Sequence, residues 1–253
     1  MITLIGSGNV ATWIAQRLKQ SKEFPVTQVY SRNLDHARQL ADAIGAEAID
    51  DVQKIRRDSF AYIFAIKDDA FDDLLPQLPF RLPLALHTAG SVSQHRFEGY
   101  AEQYGVLYPL QTFSKDSELD TLRVPLCLEL DMLADDKREC VLRLASQLSD
   151  LQYDVNEKQR VRMHLAAVFA CNFSNALYGV AEDILQGANL PFEMLIPLME
   201  QTVNKVKTLS PKEAQTGPAK RQDTGVIQKH LEMLDDAQLS HIYEVMTEYI
   251  QRK

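Results

Sequence analysis

Six residues near the start of the chain, Gly6-Ser7-Gly8-Asn9-Val10-Ala11, have the types and spacing of an anion cradle. Gly6 permits a tight turn, Gly8 lets a diphosphate approach bare backbone, and the small Ala11 lets a following helix pack closely on the preceding strand. Free N–H groups at the start of that helix then meet the phosphates. Further on, Arg32 stands between Ser31 and Asn33. In a dinucleotide site this is where an acid holds a ribose 2′-hydroxyl or a cation suits a 2′-phosphate. Residues 30–33 contain no acid, so Arg32, helped by Ser31 and Asn33, points to NADP as the cofactor.

Transfer of a hydride to a carbonyl or imine also needs a proton donor and a group that orients the substrate. Histidine is the side chain suited to proton transfer near neutral pH, and His164 lies at the start of a long apolar helix, with Asn172 further along roughly the same face. His87 closes an apolar run and is followed by Thr88 and Ser91, whose hydroxyls suit a carboxamide or the substrate. The catalytic candidates are therefore His164, Asn172, His87 and Ser91. Plainer readings stand beside them: a hydrogen-bonded structural histidine, an asparagine in a buried polar gap, and Ser91 as the cap of a short helix. Lys220 and Arg221 are candidates for substrate binding, since a guanidinium grips a carboxylate or phosphate in bidentate fashion. The alternative for that block is a turn whose Asp223 caps the next helix. For Tyr108 and Gln111 the choice is between substrate pocket and domain interface, with interface favoured for Tyr108. The pairs Asp68-Asp69 and Asp72-Asp73 open an expected helix, where carboxylates favour the positive end of the dipole, and without His or Cys partners no metal is expected.

The elements that must position these residues follow from periodicity. Short apolar runs at 1–5, 26–30, 60–66 and 82–87 read as strands, with a shorter one at 46–49. Between them, 10–18, 34–44 (ended by Gly45) and the stretch that follows Lys67-Asp68-Asp69 through Leu78 read as helices. Alternation of strand and helix implies right-handed crossovers and a parallel sheet with ligands at the carboxyl ends of its strands. That rule selects four loops, and adds Ala65, Ile66, Lys67 and Thr88 to the cofactor-binding residues Gly6, Ser7, Gly8, Asn9, Val10, Ser31, Arg32 and Asn33. Further strands are expected at 105–110, 124–130 and 152–155, and a helix at 134–149. From residue 156 the texture is helical only, with helices at 160–186, 191–209, 226–234 and 237–252 and a loop at 210–223. The expected fold is thus α/β, a Rossmann-type doubly wound sheet domain over 1–155 followed by an all-helical domain over 156–253. Because 165–173 is apolar on every side, the helical domain is expected to form a homodimer.

The net charge of −8 argues against nucleic acid or an anionic membrane as the partner. Cys127, Cys140 and Cys171 fit no zinc or redox motif and read as reduced thiols filling apolar space. With a strand beginning at Met1 and no apolar stretch of about 18 residues, neither a signal peptide nor a membrane span is expected, and a cytoplasmic protein is.

On the blocks Gly6-Ser7-Gly8-Asn9-Val10-Ala11, His87-Thr88-Ala89-Gly90-Ser91, Tyr108-Pro109-Leu110-Gln111-Thr112-Phe113-Ser114, His164-Leu165-Ala166-Ala167-Val168-Phe169, Asn172-Phe173 and Thr216-Gly217-Pro218-Ala219-Lys220-Arg221-Gln222-Asp223, the chain resembles a bacterial family across nearly its whole length. Its members join a Rossmann-like domain to a C-terminal helical domain of unknown function and carry the label NADP oxidoreductase, coenzyme F420-dependent. The wider clan is similar to pyrroline-5-carboxylate reductase, ketopantoate reductase and the 6-phosphogluconate and β-hydroxyacid dehydrogenases. The resemblance implies reduction of a small substrate by NADPH in a cleft between sheet and helical domains, in a dimer; the deazaflavin of the label is taken as inherited naming. Several β-hydroxyacid relatives place a catalytic lysine four residues before an asparagine. Here the helix offers His164 and Asn172 with no lysine between them, which leaves an NADP-binding sensor as the alternative to an enzyme.

Overall fold

The computed structural model describes residues 1–114 and 123–252. Its eight strands form one sheet in the order β3-β2-β1-β4-β5-β6-β7-β8: β1 Ile2–Ile5, β2 Val26–Tyr30, β3 Glu47–Ile49, β4 Ala61–Phe64, β5 Leu82–His87, β6 Ala101–Pro109, β7 Leu126–Glu129 and β8 Gln152–Asp154. All pairings are parallel except β6 with β7. The helices of this region are α1 Asn9–Leu18, α2 Leu34–Ile44, α3 Ala70–Leu74, α4 Asp135–Leu148 and α5 Glu157–Ala167.

Both faces of the sheet are buried, as a doubly wound fold demands. Along β4 and β5 the side chains alternate: Ala61, Ile63, Leu84 and Leu86 pack with α1, α2 and α4, whereas Tyr62, Phe64 and Ala85 pack with Phe71 and Phe97 on the opposite face. The carboxyl ends of the central strands are tied edge to edge. Gly6 N–H donates to Tyr30 O at 2.8 Å, Ala65 N–H to Ile5 O at 2.8 Å, and Thr88 N–H to Phe64 O at 3.1 Å. The loops chosen from sequence therefore leave the sheet from one edge.

Packing divides the chain into Met1–Asn175 and Ala176–Lys253, whereas the change of texture in the sequence lies at 155/156. The difference has a physical cause, since α5 is fastened to the sheet by a fully buried Arg160 and by a bond between His164 and Tyr108. The long helix expected over 160–186 is present as an unbroken helical run, but it is not α-helical throughout. Residues Val168–Phe173 form a π-helical segment between α5 and α6 (Ser174–Gly187).

The helices of the second unit are the remainder of α6 and then α7 Ile196–Val206, α8 Pro211–Ala214, α9 Pro218–Arg221, α10 Thr224–Glu232 and α11 Ala237–Gln251. Two short helices thus occupy the stretch expected as a loop at 210–223. Among the described residues of this unit only Ala219 is buried, while Met194, Leu198 and Met233 are more than half exposed. Cys127 is buried, but Cys171 is exposed on the π-helical segment, so it does not fill apolar space in the single chain.

Candidate functional site

The loop after β1 is shaped for a ligand rather than for its own packing. Gly6 has φ +118°, and a Cβ there would lie 2.2 Å from the carbonyl oxygen of Ala65, so glycine is required both by conformation and by the closeness of β4. A Cβ at Gly8 would meet nothing within 4 Å; it would fill the open space above the loop. Helix α1 starts at Gly8 with no side-chain cap, leaving its first N–H groups directed at that space. A cavity of about 460 Å³ lies against the loop and is lined by Gly6, Ser7, Gly8, Ser31, Arg32, Asn33, Ala65, Ile66 and Lys67, nine of the expected cofactor residues, and by His36 of α2. Arg32 and Lys67 are exposed at its rim, and Arg32 forms no ion pair among the described residues. Ser7 Oγ donates to Ser31 Oγ at 3.0 Å, joining two walls. A bare backbone turn, an uncapped helix start and two cations at the rim match a dinucleotide with a 2′-phosphate.

Asn9, Val10 and Thr88 do not line this cavity. The Asn9 amide donates to Phe113 O at 2.7 Å, holding the segment after β6 over the glycine loop. Val10 packs partly into the core, and the Thr88 hydroxyl donates to Phe64 O at 3.4 Å.

The catalytic candidates separate sharply. His87 is fully buried; its Nδ1 accepts from Ala89 N–H at 3.2 Å, its Nε2 has no hydrogen-bond partner among the described residues, and Phe71 and Phe97 each lie 5.9 Å away ring to ring. Burial, followed by the charge of Arg160, pushes its pKa down to about 3, which favours the neutral imidazole. The Ser91 hydroxyl is bonded to Asp68, joining the loops after β4 and β5, and the short helix Gln94–Phe97 is capped by Ser93, not Ser91. Asn172 is exposed within the π-helical segment.

His164 is half-buried, with Nδ1 2.9 Å from the Tyr108 hydroxyl. It packs on Gly90: a Cβ there would fall 2.5 Å from Nδ1 and 2.7 Å from Cγ of the imidazole. One turn earlier on α5, Arg160 donates to Glu129 Oε2 at 3.0 Å, Ala89 O at 3.1 Å and Gly90 O at 2.9 Å. Burial pushes the Glu129 carboxyl above the usual range, and the Arg160 guanidinium beside it pulls the other way. Tyr108 and Gly90 thus meet His164 directly, while Arg160 ties its helix to Glu129 and to the loop at Gly90; none of these four is among the site candidates chosen by sequence. A charged residue inside the apolar run 124–130 and an arginine four positions before His164 were the available signals.

In the second unit, Lys220 lines a separate cavity of about 230 Å³ with Lys212, Met246 and Tyr249, and Arg221 is exposed. Asp223 accepts from Val226 N–H at 3.2 Å and caps α10, as the plainer reading of this block requires.

Comparison with known proteins gives this site a context. Residues 1–85 match the family model "NADP oxidoreductase coenzyme F420-dependent", and residues 125–250 match "Domain of unknown function (DUF2520)". No curated protein matches the sequence. A solved protein of Bacteroides fragilis, assigned as an NADP oxidoreductase, is 41% identical with TM-score 0.92, covering 100% of this chain and 98% of its own. In fold alone the chain also resembles a 1-pyrroline-5-carboxylate reductase of Streptococcus pyogenes (18% identity, TM-score 0.63, covering 100% and 98%). A further likeness in fold is to a reductive aminase of Aspergillus terreus solved with NADPH (15% identity, TM-score 0.76, covering 99% and 93%). With a glycine turn that admits a diphosphate, cations at the cavity rim and a full-length relative of this similarity, the chain belongs to the F420-dependent-type NADP oxidoreductase family, its second part being the DUF2520 domain.

Proposed function

We propose that this chain is an NADP-dependent reductase that passes a hydride to a small carbonyl or imine substrate, with His164 as the proton donor. The observation that carries the reading is the cavity over Gly6 and Gly8 with Arg32 and Lys67 at its rim. NADPH supplies the hydride when bound. The chain's own residues do the rest: the glycine loop and the start of α1 bind the diphosphate, Arg32 and Lys67 bind the 2′-phosphate, and His164 holds a proton at an accessible ring nitrogen. Of the two histidines considered, His87 is shut inside the sheet, which leaves His164 as the titratable group open to a substrate. A carboxylate or phosphate on the substrate would suit Lys220 and Arg221. The exposed apolar side chains of the helical unit support a homodimer formed through the C-terminal helices, and among the described residues no helix is long and apolar enough to cross a membrane, which suits a cytoplasmic enzyme.

Calorimetry with NADPH and NADH tests the cofactor site. We expect NADPH to bind at least about tenfold more tightly, and Arg32→Ala to remove most of that preference. Oxidation of NADPH against a panel of cyclic imines, ketones and keto acids tests the chemistry. Tight NADPH binding with no oxidation across the panel would instead indicate a sensor, and sedimentation as a monomer would overturn the dimer.

A further inference from the structure

We propose that Tyr108 is a positioning residue that fixes the tautomer of His164, its hydroxyl donating to Nδ1 so that Nε2 carries the proton and is the atom offered to the substrate. The inference rests on the reading of His164 as the proton donor. Tyr108 stands at the end of β6, and its ring meets the imidazole edge to face, with centroids 5.8 Å apart and planes at 76°. The hydroxyl lies 2.9 Å from Nδ1, within hydrogen-bond reach. Tyr108 is only 9% exposed while His164 is half-buried, so the tyrosine forms the closed side of the pair and the histidine the open one.

Burial pushes the Tyr108 phenol up to about 12, and it therefore keeps its proton throughout the neutral range. A phenol hydroxyl is a stronger donor than acceptor, and donation to an unprotonated Nδ1 leaves the ring proton on the other nitrogen. Free histidine in water distributes its proton between the two positions; a fixed donor at Nδ1 selects one.

The surroundings hold the pair in place. A Cβ at Gly90 would fall 2.5 Å from His164 Nδ1 and 3.0 Å from Tyr108 Cζ, so only glycine at this position admits both rings as they stand. The Arg160 guanidinium binds the carbonyl oxygens of Ala89 and Gly90 from one turn earlier on the same helix, keeping the loop under the imidazole. Loop, strand and helix each contribute one constraint on a single ring.

The test is nitrogen-15 NMR of the full chain labelled at histidine, with His164→Gln identifying the His164 signals among those of six histidines. In the native protein near neutral pH we expect an unprotonated Nδ1 and a protonated Nε2. Tyr108→Phe removes one hydroxyl, and Gly90→Ala pushes the ring away while keeping that hydroxyl; both are expected to give mixed tautomers with NADPH binding unchanged by calorimetry. On a substrate found in the panel, Tyr108→Phe should lower kcat about a hundredfold with little change in KM. A proton on Nδ1 in the native protein, or a His164 spectrum that Tyr108→Phe leaves unaltered, overturns the proposal. Full turnover by His164→Gln overturns instead the donor reading beneath it, whatever the tautomer.

Discussion

Two histidines flank one loop in this molecule and meet opposite fates. His87 ends β5, two residues before Ala89, with its side chain on the sheet face that carries Phe71 and Phe97. His164 reaches the same loop from α5 and rests on Gly90 with one side open. Both offer an imidazole in sequence, yet the first is fully enclosed and the second only half-buried. A titratable residue at the carboxyl end of a strand lies near the crevice, but the parity of the strand decides whether it faces ligand or core. Arg160 touches both outcomes, as the anchor of the helix bearing His164 and as a charge that disfavours protonation of His87.

Four variants break or sharpen this contrast. The largest effect is expected from Arg160→Ala. It strands the buried Glu129 carboxylate and frees the Ala89 and Gly90 carbonyls, and should cost about 3–5 kcal/mol in denaturant unfolding, as loss of one partner of a buried pair does. His164→Gln should leave unfolding nearly unchanged and lower kcat about 100- to 1000-fold, read by NADPH oxidation on the best substrate of the panel.

Arg32→Ala acts in the cavity over the glycine loop and should cost roughly 2 kcal/mol of NADPH binding with little effect on NADH. At neutral pH the smallest effect belongs to His87→Asn, whose amide oxygen can still accept from Ala89 N–H. Because the folded pKa of His87 is depressed to about 3 from 6.5, the unfolded chain binds the extra proton between these values. Stability from this group is therefore complete above about pH 6.5 and declines as pH falls toward 3, by up to about 1.4 kcal/mol per pH unit. The difference in slope between native and His87→Asn unfolding, measured from pH 7 to 4, checks it; equal slopes would mean that His87 titrates normally in the fold.

How much of this was legible depends on how local each feature is. The glycine loop, Arg32 and the alternating strands are set by neighbours in sequence, and their expected and observed positions agree within a few residues. The cavity accordingly gathers residues from three loops chosen by the strand-end rule alone. The surroundings of His164 are different in kind. Tyr108, Gly90, Glu129 and Arg160 come from β6, the loop after β5, β7 and α5, and their meeting depends on an antiparallel pairing of β6 with β7 that breaks the parallel order. The π-helical segment at Val168–Phe173 was likewise hidden, because an i→i+5 turn inside an apolar run leaves the composition of the run unchanged.

The most direct test of the account is a single-turnover measurement of NADPH oxidation by the native chain, His164→Gln and His87→Asn side by side, each saturated with cofactor and with the same substrate. The account predicts that His87→Asn stays within about threefold of the native rate while His164→Gln falls by about a hundredfold or more, with all three binding NADPH alike. A slow His87→Asn variant beside an unimpaired His164→Gln would contradict it.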